Sequence, residues 1–244
     1  MANLSLGVGW NSGSWFAVAF GPGGFDHAAP FDEISGLWHR YEERAARVLV
    51  GVPIGLVDDE EGRQCDSLAR ETLGPRSGSV FTPPTREAAR RRRYSAASRV
   101  NERNAGRGLS EQAFGVSDGV AAVDKLLRNV PEARAVFAES HPEVCFRAFA
   151  GESLDHPRKK AGGYAERMQT LAEFDADAPR VVQAAAEAAG DADVAVDDVL
   201  DTVALAYTAR PGPGKLRSLP PDPPTDTEGL PTRIVYRASA PLTE

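Results

Sequence analysis

The alternation of apolar and polar positions along the chain predicts an α/β domain. Two short runs rich in β-branched and aromatic residues, LSLGVGW and SWFAVAF, are separated by Asn11, Ser12 and Gly13, which favour a turn, so we predict a β-hairpin. A third strand is predicted over residues 24–29, followed by an amphipathic helix in FDEISGLWHRYEERA and a buried strand in RVLVGV. Later apolar runs predict a strand that ends at Glu139 and a helix in VDDVLDTVALAYTA. Strands that alternate with helices after an antiparallel start indicate a mixed sheet flanked by helices.

A long insertion and a proline-rich extension interrupt this pattern. Residues 58–130 carry a charged stretch, an arginine-rich run and the capped pattern LSEQAFGVSDGVAAVDKLL, which predict an inserted helical segment. A helix through the arginine run would place Arg86, Arg90 and Arg93 on one face, which we expect to be solvated. Residues 210–231 are rich in proline and predict a coil that wraps the surface before one last strand.

Composition and charge narrow the class of protein. A chain of 244 residues with 42% hydrophobic content fits one elaborated domain over residues 1–244. No apolar run approaches the roughly 18 residues of a membrane span and no secretion signal is visible, so we expect a cytoplasmic protein without a membrane partner. The net charge of -7 argues against a broad basic surface but leaves room for a local basic groove. Cys65 and Cys145 stand far apart without neighbouring His ligands, so we expect two reduced thiols.

Carboxylates stand where the strands are predicted to end, and loops at strand ends are where open α/β sheets bind ligands. Glu139 closes one apolar run, and Asp201 borders the apolar stripe of the late helix. If these two converge, they can hold Mg²⁺ or Mn²⁺ through hard oxygens and support in-line attack on a phosphate. His141 and Glu143 open the next helix, and helix-start chemistry is their more typical role than catalysis. Asp197 is interpreted as an N-cap and Asp198 as a first-turn acid of the late helix.

The tryptophans have a simpler interpretation. Trp10, Trp15 and Trp38 fall in predicted strands and in an amphipathic helix, where core packing is more typical than base stacking.

Eight blocks of the sequence together resemble one known family. They are GVPIGL, GRQCDSLAR, SVFTPPTR, GLSEQAFGV, ESHPEVCFRAFAG, RKKAGGYAERMQTL, DDVLDTVALAYTA and GLPTRIVY, and in this order they cover nearly the whole chain. The set resembles domain-of-unknown-function family four hundred and twenty-nine, described as predicted nucleases with a ribonuclease H-like fold. The resemblance implies a five-stranded mixed sheet, its first three strands antiparallel, with a carboxylate cluster that binds Mg²⁺ or Mn²⁺ at the central strands.

The chain departs from the family pattern at two of the acids. The first strand of that pattern usually ends GVD and a later strand usually reads DIPIGL, whereas this chain has Gly9 and Gly51 at those positions. The resemblance therefore implies that Glu139 and Asp201 remain from the acidic cluster and that two acids are lost. Two carboxylates alone would bind metal more weakly. The two glycines could also be tolerant positions, or could let a phosphate approach the backbone.

The same resemblance implies phosphate-gripping side chains. Arg63, Asp66 and Arg70 in GRQCDSLAR and the pair Lys159 and Lys160 in RKKAGG match family positions, and basic groups there can contact phosphate. Salt bridges in solvent are the alternative role of these residues.

Three functions follow as hypotheses. The first is a metal-dependent nuclease in which Glu139 and Asp201 ligate the metal and His141 or Glu143 assists proton transfer, with weak Mn²⁺ binding that Glu139→Gln abolishes. The second is a non-catalytic nucleic-acid-binding, nucleotide-binding or regulatory module of the same fold, which the loss of two acids favours. The third is an actin-like nucleotide-binding phosphotransferase, for which the glycines near the first strand are a weak sign.

Overall fold

A mixed sheet forms the centre of the protein. The computed structural model describes residues 3–11 and 13–243. The sheet contains β1 (Leu4–Asn11), β2 (Ser14–Gly21), β3 (Gly24–Phe31), β4 (Ala45–Val50) and β5 (Phe137–Glu139). These five strands lie in the order β3-β2-β1-β4-β5. The first three are antiparallel to one another, and β1, β4 and β5 are parallel. This is the arrangement of a ribonuclease H-like sheet, so the predicted fold class is confirmed.

Helices cover both faces of this sheet. In the described residues they are α1 (Ile34–Tyr41), α2 (Gln64–Leu73), α3 (Arg86–Ala89), α4 (Tyr94–Ala105), α5 (Glu111–Gly115), α6 (Ser117–Asn129), α7 (Pro131–Val136), α8 (Pro142–Ala150), α9 (Ala161–Phe174), α10 (Ala178–Ala189) and α11 (Val196–Ala209), with a 3₁₀ helix over Gly74–Ser79. None of these helices has the length and apolar content needed to cross a bilayer.

The two faces of β1 pack differently. Leu4, Leu6 and Val8 point into a core shared with α1 and α6, whereas the alternate positions face α11. A Cβ atom at Gly7 would lie 2.2 Å from the backbone nitrogen of Ala206, so only glycine lets α11 come this close. The helix that carries Asp201 is therefore fixed directly against the central strand.

The C-terminal region adds a second, smaller sheet. Strand β6 (Lys215–Leu219) pairs antiparallel with β7 (Ile234–Ala238). A parallel bridge from Ser140 to Val235 joins this hairpin to the end of β5. The last strand was predicted, but the prediction of coil over 210–231 is wrong at β6, where the chain pairs with β7.

The arginine run does not form a helix, so the predicted shared face of Arg86, Arg90 and Arg93 does not exist. Helix α3 ends at Ala89, and the exposed residues 90–93 form a turn and bend before α4. Arg91 pairs with Glu87 at 2.5 Å, while Arg90 lies 3.7 Å from Asp124. The helix is broken in the backbone: Arg90, at φ -88° and ψ 2°, leaves the α-helical conformation, and Arg93, at φ -118° and ψ 129°, is extended.

Two other element boundaries differ from the sequence pattern. The predicted capped helix is two helices, α5 and α6, because Gly115 and Val116 are weak helix formers and Val116 leaves the helical conformation. The apolar run before Glu139 is helical until Val136, because Pro131 favours the first position of α7, so β5 has only three residues.

Candidate functional site

A cavity of about 420 Å³ lies where the parallel strands of the central sheet end. Gly9 near the end of β1, Gly51 directly after β4 and Glu139 at the end of β5 all contribute to its wall. Seven of the side chains predicted to act in the site also line it: Glu139, His141, Glu143, Asp201, Arg63, Asp66 and Lys159. The order of the strands thus gathers residues that are distant in sequence. We call this the strand-end cavity.

A buried cluster of three charged side chains forms one wall. Arg63 donates to Glu139 through Nη1 at 2.6 Å and Nη2 at 2.9 Å, and to Asp66 through Nε at 3.0 Å and Nη2 at 2.5 Å. The exposed fractions of the Arg63, Asp66 and Glu139 side chains are 1%, 2% and 5%. The backbone N–H of Ile54 also donates to Glu139 Oε2 at 2.7 Å. Burial raises the pKa of Glu139, and the Arg63 guanidinium opposes that shift.

A second cluster forms around Arg158 at the start of α11. Its Nε lies 2.9 Å from Asp197 and its Nη2 lies 3.0 Å from Asp198, while Nη1 donates to Asp201. The helix begins after Ala195, so Asp197 is not the N-cap; both it and Asp198 are first-turn acids. Burial raises the pKa of Asp201 to about 7, and the positive charge of Arg158 opposes the rise.

His141 and Glu143, which were predicted to assist proton transfer, have different hydrogen-bond partners. His141 occupies the N-cap position of α8, but its side chain makes no capping bond, and its Nε2 lies 3.3 Å from the Ser79 carbonyl oxygen. Burial lowers the pKa of His141, which favours the neutral imidazole. Glu143 accepts from Nη2 of the buried Arg167 at 2.5 Å. Glu143 is thus neutralised by an arginine that the sequence analysis did not single out.

Helix α11 fills the space beside the two glycines. A Cβ atom at Gly9 would lie 2.6 Å from Thr202 Oγ1, and one at Gly51 would lie 3.3 Å from Leu205 Cδ1. An acid at Gly9 would require Thr202 to move, while an acid at Gly51 needs only a small shift of the flexible end of Leu205. The glycines therefore allow close packing of α11, and the space beside Gly9 is not left open for a ligand.

The residues present do not fit a two-metal centre as they stand. Glu139 is held by Arg63, and Asp201 is held by Arg158. Within residues 3–11 and 13–243, no group of three or more His, Cys, Asp and Glu side chains is arranged to hold a metal ion. Joint ligation of Mg²⁺ or Mn²⁺ by Glu139 and Asp201 stays a prediction.

The remaining predicted contacts lie at the edge of the site. Lys159 is exposed at the cavity rim, and the neighbouring Lys160 is exposed just before α9. Arg70 donates to the Val80 carbonyl oxygen at 2.9 Å and to Thr82 Oγ1 at 2.8 Å, so it braces the segment that forms part of the wall.

Sequence reasoning missed two features of the cavity. The first is Arg158, which directly precedes Lys159 and pairs with three aspartates of α11. Those aspartates stand at positions i, i+1 and i+4 of one helix, and this spacing was a signal in the sequence that they share a cation. Trp10 was predicted to be a core residue, as Trp15 and Trp38 are, but it is half-buried and lines the cavity.

Comparison with known families finds one family for this chain. The family model described as "Protein of unknown function (DUF429)" matches residues 7–225. The chain belongs to this family. The matched range contains both charged clusters and both glycines, and of the residues that line the cavity Ile234 alone lies beyond it. Searches of curated proteins and of solved structures find no match to the chain.

Proposed function

We propose that this chain is a non-catalytic binding module of ribonuclease H-like fold whose ligand is a phosphate ester, either a nucleotide or a nucleic-acid strand. One observation carries the proposal: the space that an acid would need at Gly9 is filled by Thr202. The acid that the family resemblance implies at this position would therefore have to displace Thr202 of α11.

The state of the remaining carboxylates supports the same conclusion. Two-metal hydrolysis requires carboxylate oxygens that are free to bind cations. Freeing Glu139 would mean breaking a buried ion pair with Arg63, and removal of one partner from such a pair typically costs about 3–5 kcal/mol. A cation would have to supply that free energy before it contributed to catalysis.

The cavity retains features that suit a nucleotide-sized ligand. Its volume of about 420 Å³ is typical of small-molecule sites. Trp10, Val52 and Pro53 give it an apolar wall, and Asn11 and Gln112 provide amide groups. Lys159 is a cation of this wall that forms no ion pair within the described part of the chain, and an ammonium group at a rim can contact phosphate. The indole of Trp10, whose ring packs against Gly119 and Trp15, gives the base of a nucleotide an apolar contact at this wall.

The test combines binding with cleavage. Fluorescence anisotropy with labelled RNA, DNA and hybrid strands, and calorimetry with AMP, would compare wild type with Lys159→Gln. Lys125→Gln, at an exposed position of α6, is the charge-matched control. We expect Lys159→Gln to weaken binding at least about tenfold and Lys125→Gln to leave it unchanged, since a hydrogen bond to a charged group contributes about 1.5–3 kcal/mol. We also expect no cleavage in Mg²⁺ or Mn²⁺; absence of binding to every probe would refute the proposal.

The competing function is a metal-dependent nuclease that uses Glu139 and Asp201 to hold Mg²⁺ or Mn²⁺. The observation that favours it is that three aspartates of α11 already share one cation, Arg158, whose side chain is 36% exposed and can move aside. When bound, the metal would polarise a phosphate. Metal-dependent cleavage by wild type that Glu139→Gln abolishes would support this function over ours.

A further inference from the structure

A second cavity, of about 530 Å³, lies at the other end of the parallel strands, where β4 and β5 begin. Its wall includes Ala46 and Arg47 at the start of β4, the chain leading into β5, and residues of the β6–β7 hairpin. Among the lining residues, the charged ones are Arg47, Arg217 and Arg233. We call this the arginine cavity. It shares no lining residue with the strand-end cavity.

These three arginines lack carboxylate partners within residues 3–11 and 13–243. Arg47 donates from Nη1 to the Ala209 carbonyl oxygen at 2.9 Å. Arg217 donates to the carbonyl oxygens of Ala238 at 3.3 Å and Ser239 at 2.9 Å. A guanidinium has five N–H donors, so these bonds leave donors for a further acceptor. All three side chains are half-buried, so their charges are only partly screened by solvent.

Another guanidinium lies close to this group. Arg237 is 6% exposed and donates to the carbonyl oxygens of Thr208 at 3.1 Å and Gly214 at 3.3 Å. Burial, followed by the like charges of Arg47 and Arg210, lowers the pKa of Arg237. In the strand-end cavity, by contrast, Arg63 and Arg158 are fully paired with acids. On a chain of net charge -7, this concentration of unneutralised arginine is a local exception.

We infer that the arginine cavity binds a phosphate group, carried by a small phosphate ester. Planar guanidinium groups match phosphate oxygens in a bidentate manner, and the three arginines that line this cavity have no carboxylate partner in the described residues. Pro221, Pro241 and Val136 supply apolar walls for the organic part of such an ester. The volume is also that of a small-molecule site. This inference does not depend on the function proposed for the strand-end cavity.

Calorimetry at fixed ionic strength with inorganic pyrophosphate, inorganic phosphate and AMP tests the site. The variant is Arg217→Gln/Arg233→Gln, and Arg233→Gln alone is a milder version, because Arg233 makes no side-chain hydrogen bond to another described residue. The control, Arg91→Gln/Arg92→Gln, removes the same charge from the exposed bend between α3 and α4. Circular dichroism establishes that each variant is folded.

We expect saturable binding that weakens at least tenfold in the double variant, less in Arg233→Gln, and not in the control. Tighter binding of AMP than of inorganic phosphate would identify an ester as the ligand, and equal binding would identify the free anion. In Lys159→Gln, the binding that depends on Arg217 and Arg233 should persist unchanged and only the AMP binding of the strand-end cavity should weaken, which separates the two cavities. Absence of binding by wild type, or equal losses in the double variant and the control, would overturn the inference.

Discussion

Replacement of Arg63 by methionine should destabilise the protein by about 3–5 kcal/mol, the usual penalty for leaving a buried charge without its partner. Methionine keeps much of the apolar stem but removes the guanidinium, so two buried carboxylates lose their shared cation. Arg63 also donates to the carbonyl oxygens of Ile54 at 2.9 Å and Gly55 at 3.3 Å, and these bonds are lost as well. The carbonyl oxygens of Ile54 and Gly55 would thus lose their donor, while the Ile54 N–H would still donate to Glu139.

The expected shift in melting temperature follows from the size of the domain. A protein of 150–250 residues typically loses about 2–4 °C per kcal/mol, so Arg63→Met should lower Tm by about 6–20 °C. Differential scanning calorimetry and urea unfolding measure the change in Tm and in the free energy of unfolding. Neutralising the partners as well, in Arg63→Met/Asp66→Asn/Glu139→Gln, should restore much of the stability because no uncompensated charge remains buried.

The chain offers a matched control for this experiment. Arg91 also contacts a carboxylate at 2.5 Å, that of Glu87, but the two side chains are 45% and 41% exposed. Exposed pairs contribute only about 0–1 kcal/mol, so Arg91→Met should change stability little. The reasoning about burial is refuted if Arg63→Met destabilises the protein no more than Arg91→Met does.

Three further predictions concern packing, pH and thiol reactivity. Gly7→Ala should destabilise the protein by about 3 kcal/mol or more, as measured by urea unfolding, because its Cβ would strike the backbone of α11; Gly23→Ala, with open space around it, should not. Asp201 has a native pKa of about 7, above its unfolded value of about 3.9, so stability should fall as pH rises between these values, and Asp201→Asn should flatten that slope in pH-dependent unfolding. Burial raises the pKa of the Cys65 and Cys145 thiols, so both should resist a thiol-specific reagent until the protein unfolds; rapid labelling of the folded protein would contradict their burial.

Much of the sheet follows from local pattern. The hairpin of β1 and β2 and the bounds of α11 match the predicted apolar runs. These elements are buried more completely than an amphipathic pattern implies, since every residue of α11 from Val199 to Ala209 is buried. The boundaries that differ depend on weaker signals, such as Pro131 starting α7 inside an apolar run. Strand β6 has no strong pattern of its own and is stabilised by its pairing with β7.

The carboxylates of the site could be predicted from the sequence, but their ion-pair partners could not. Glu139 could be placed at a strand end and Asp201 beside the apolar stripe of the late helix, and the fold brings both to one cavity. Their partners could not, because Arg63 lies 76 residues from Glu139 and Arg158 lies 43 residues from Asp201, and local pattern carries no information about such pairs. The filling of the space at Gly9 by Thr202 likewise depends on how closely a distant helix packs.

We conclude that the packing of Thr202 against Gly9 prevents this cavity from assembling a metal centre. The ion pairs of Glu139 and Asp201 have the same effect. Mn²⁺ titration calorimetry tests it on wild type beside Gly9→Asp/Gly51→Asp/Thr202→Ala, in which the Thr202 change makes room for the acid at Gly9. The account predicts no saturable binding by wild type and clear binding by the triple variant. Saturable binding of Mn²⁺ by wild type that Glu139→Gln abolishes would contradict it.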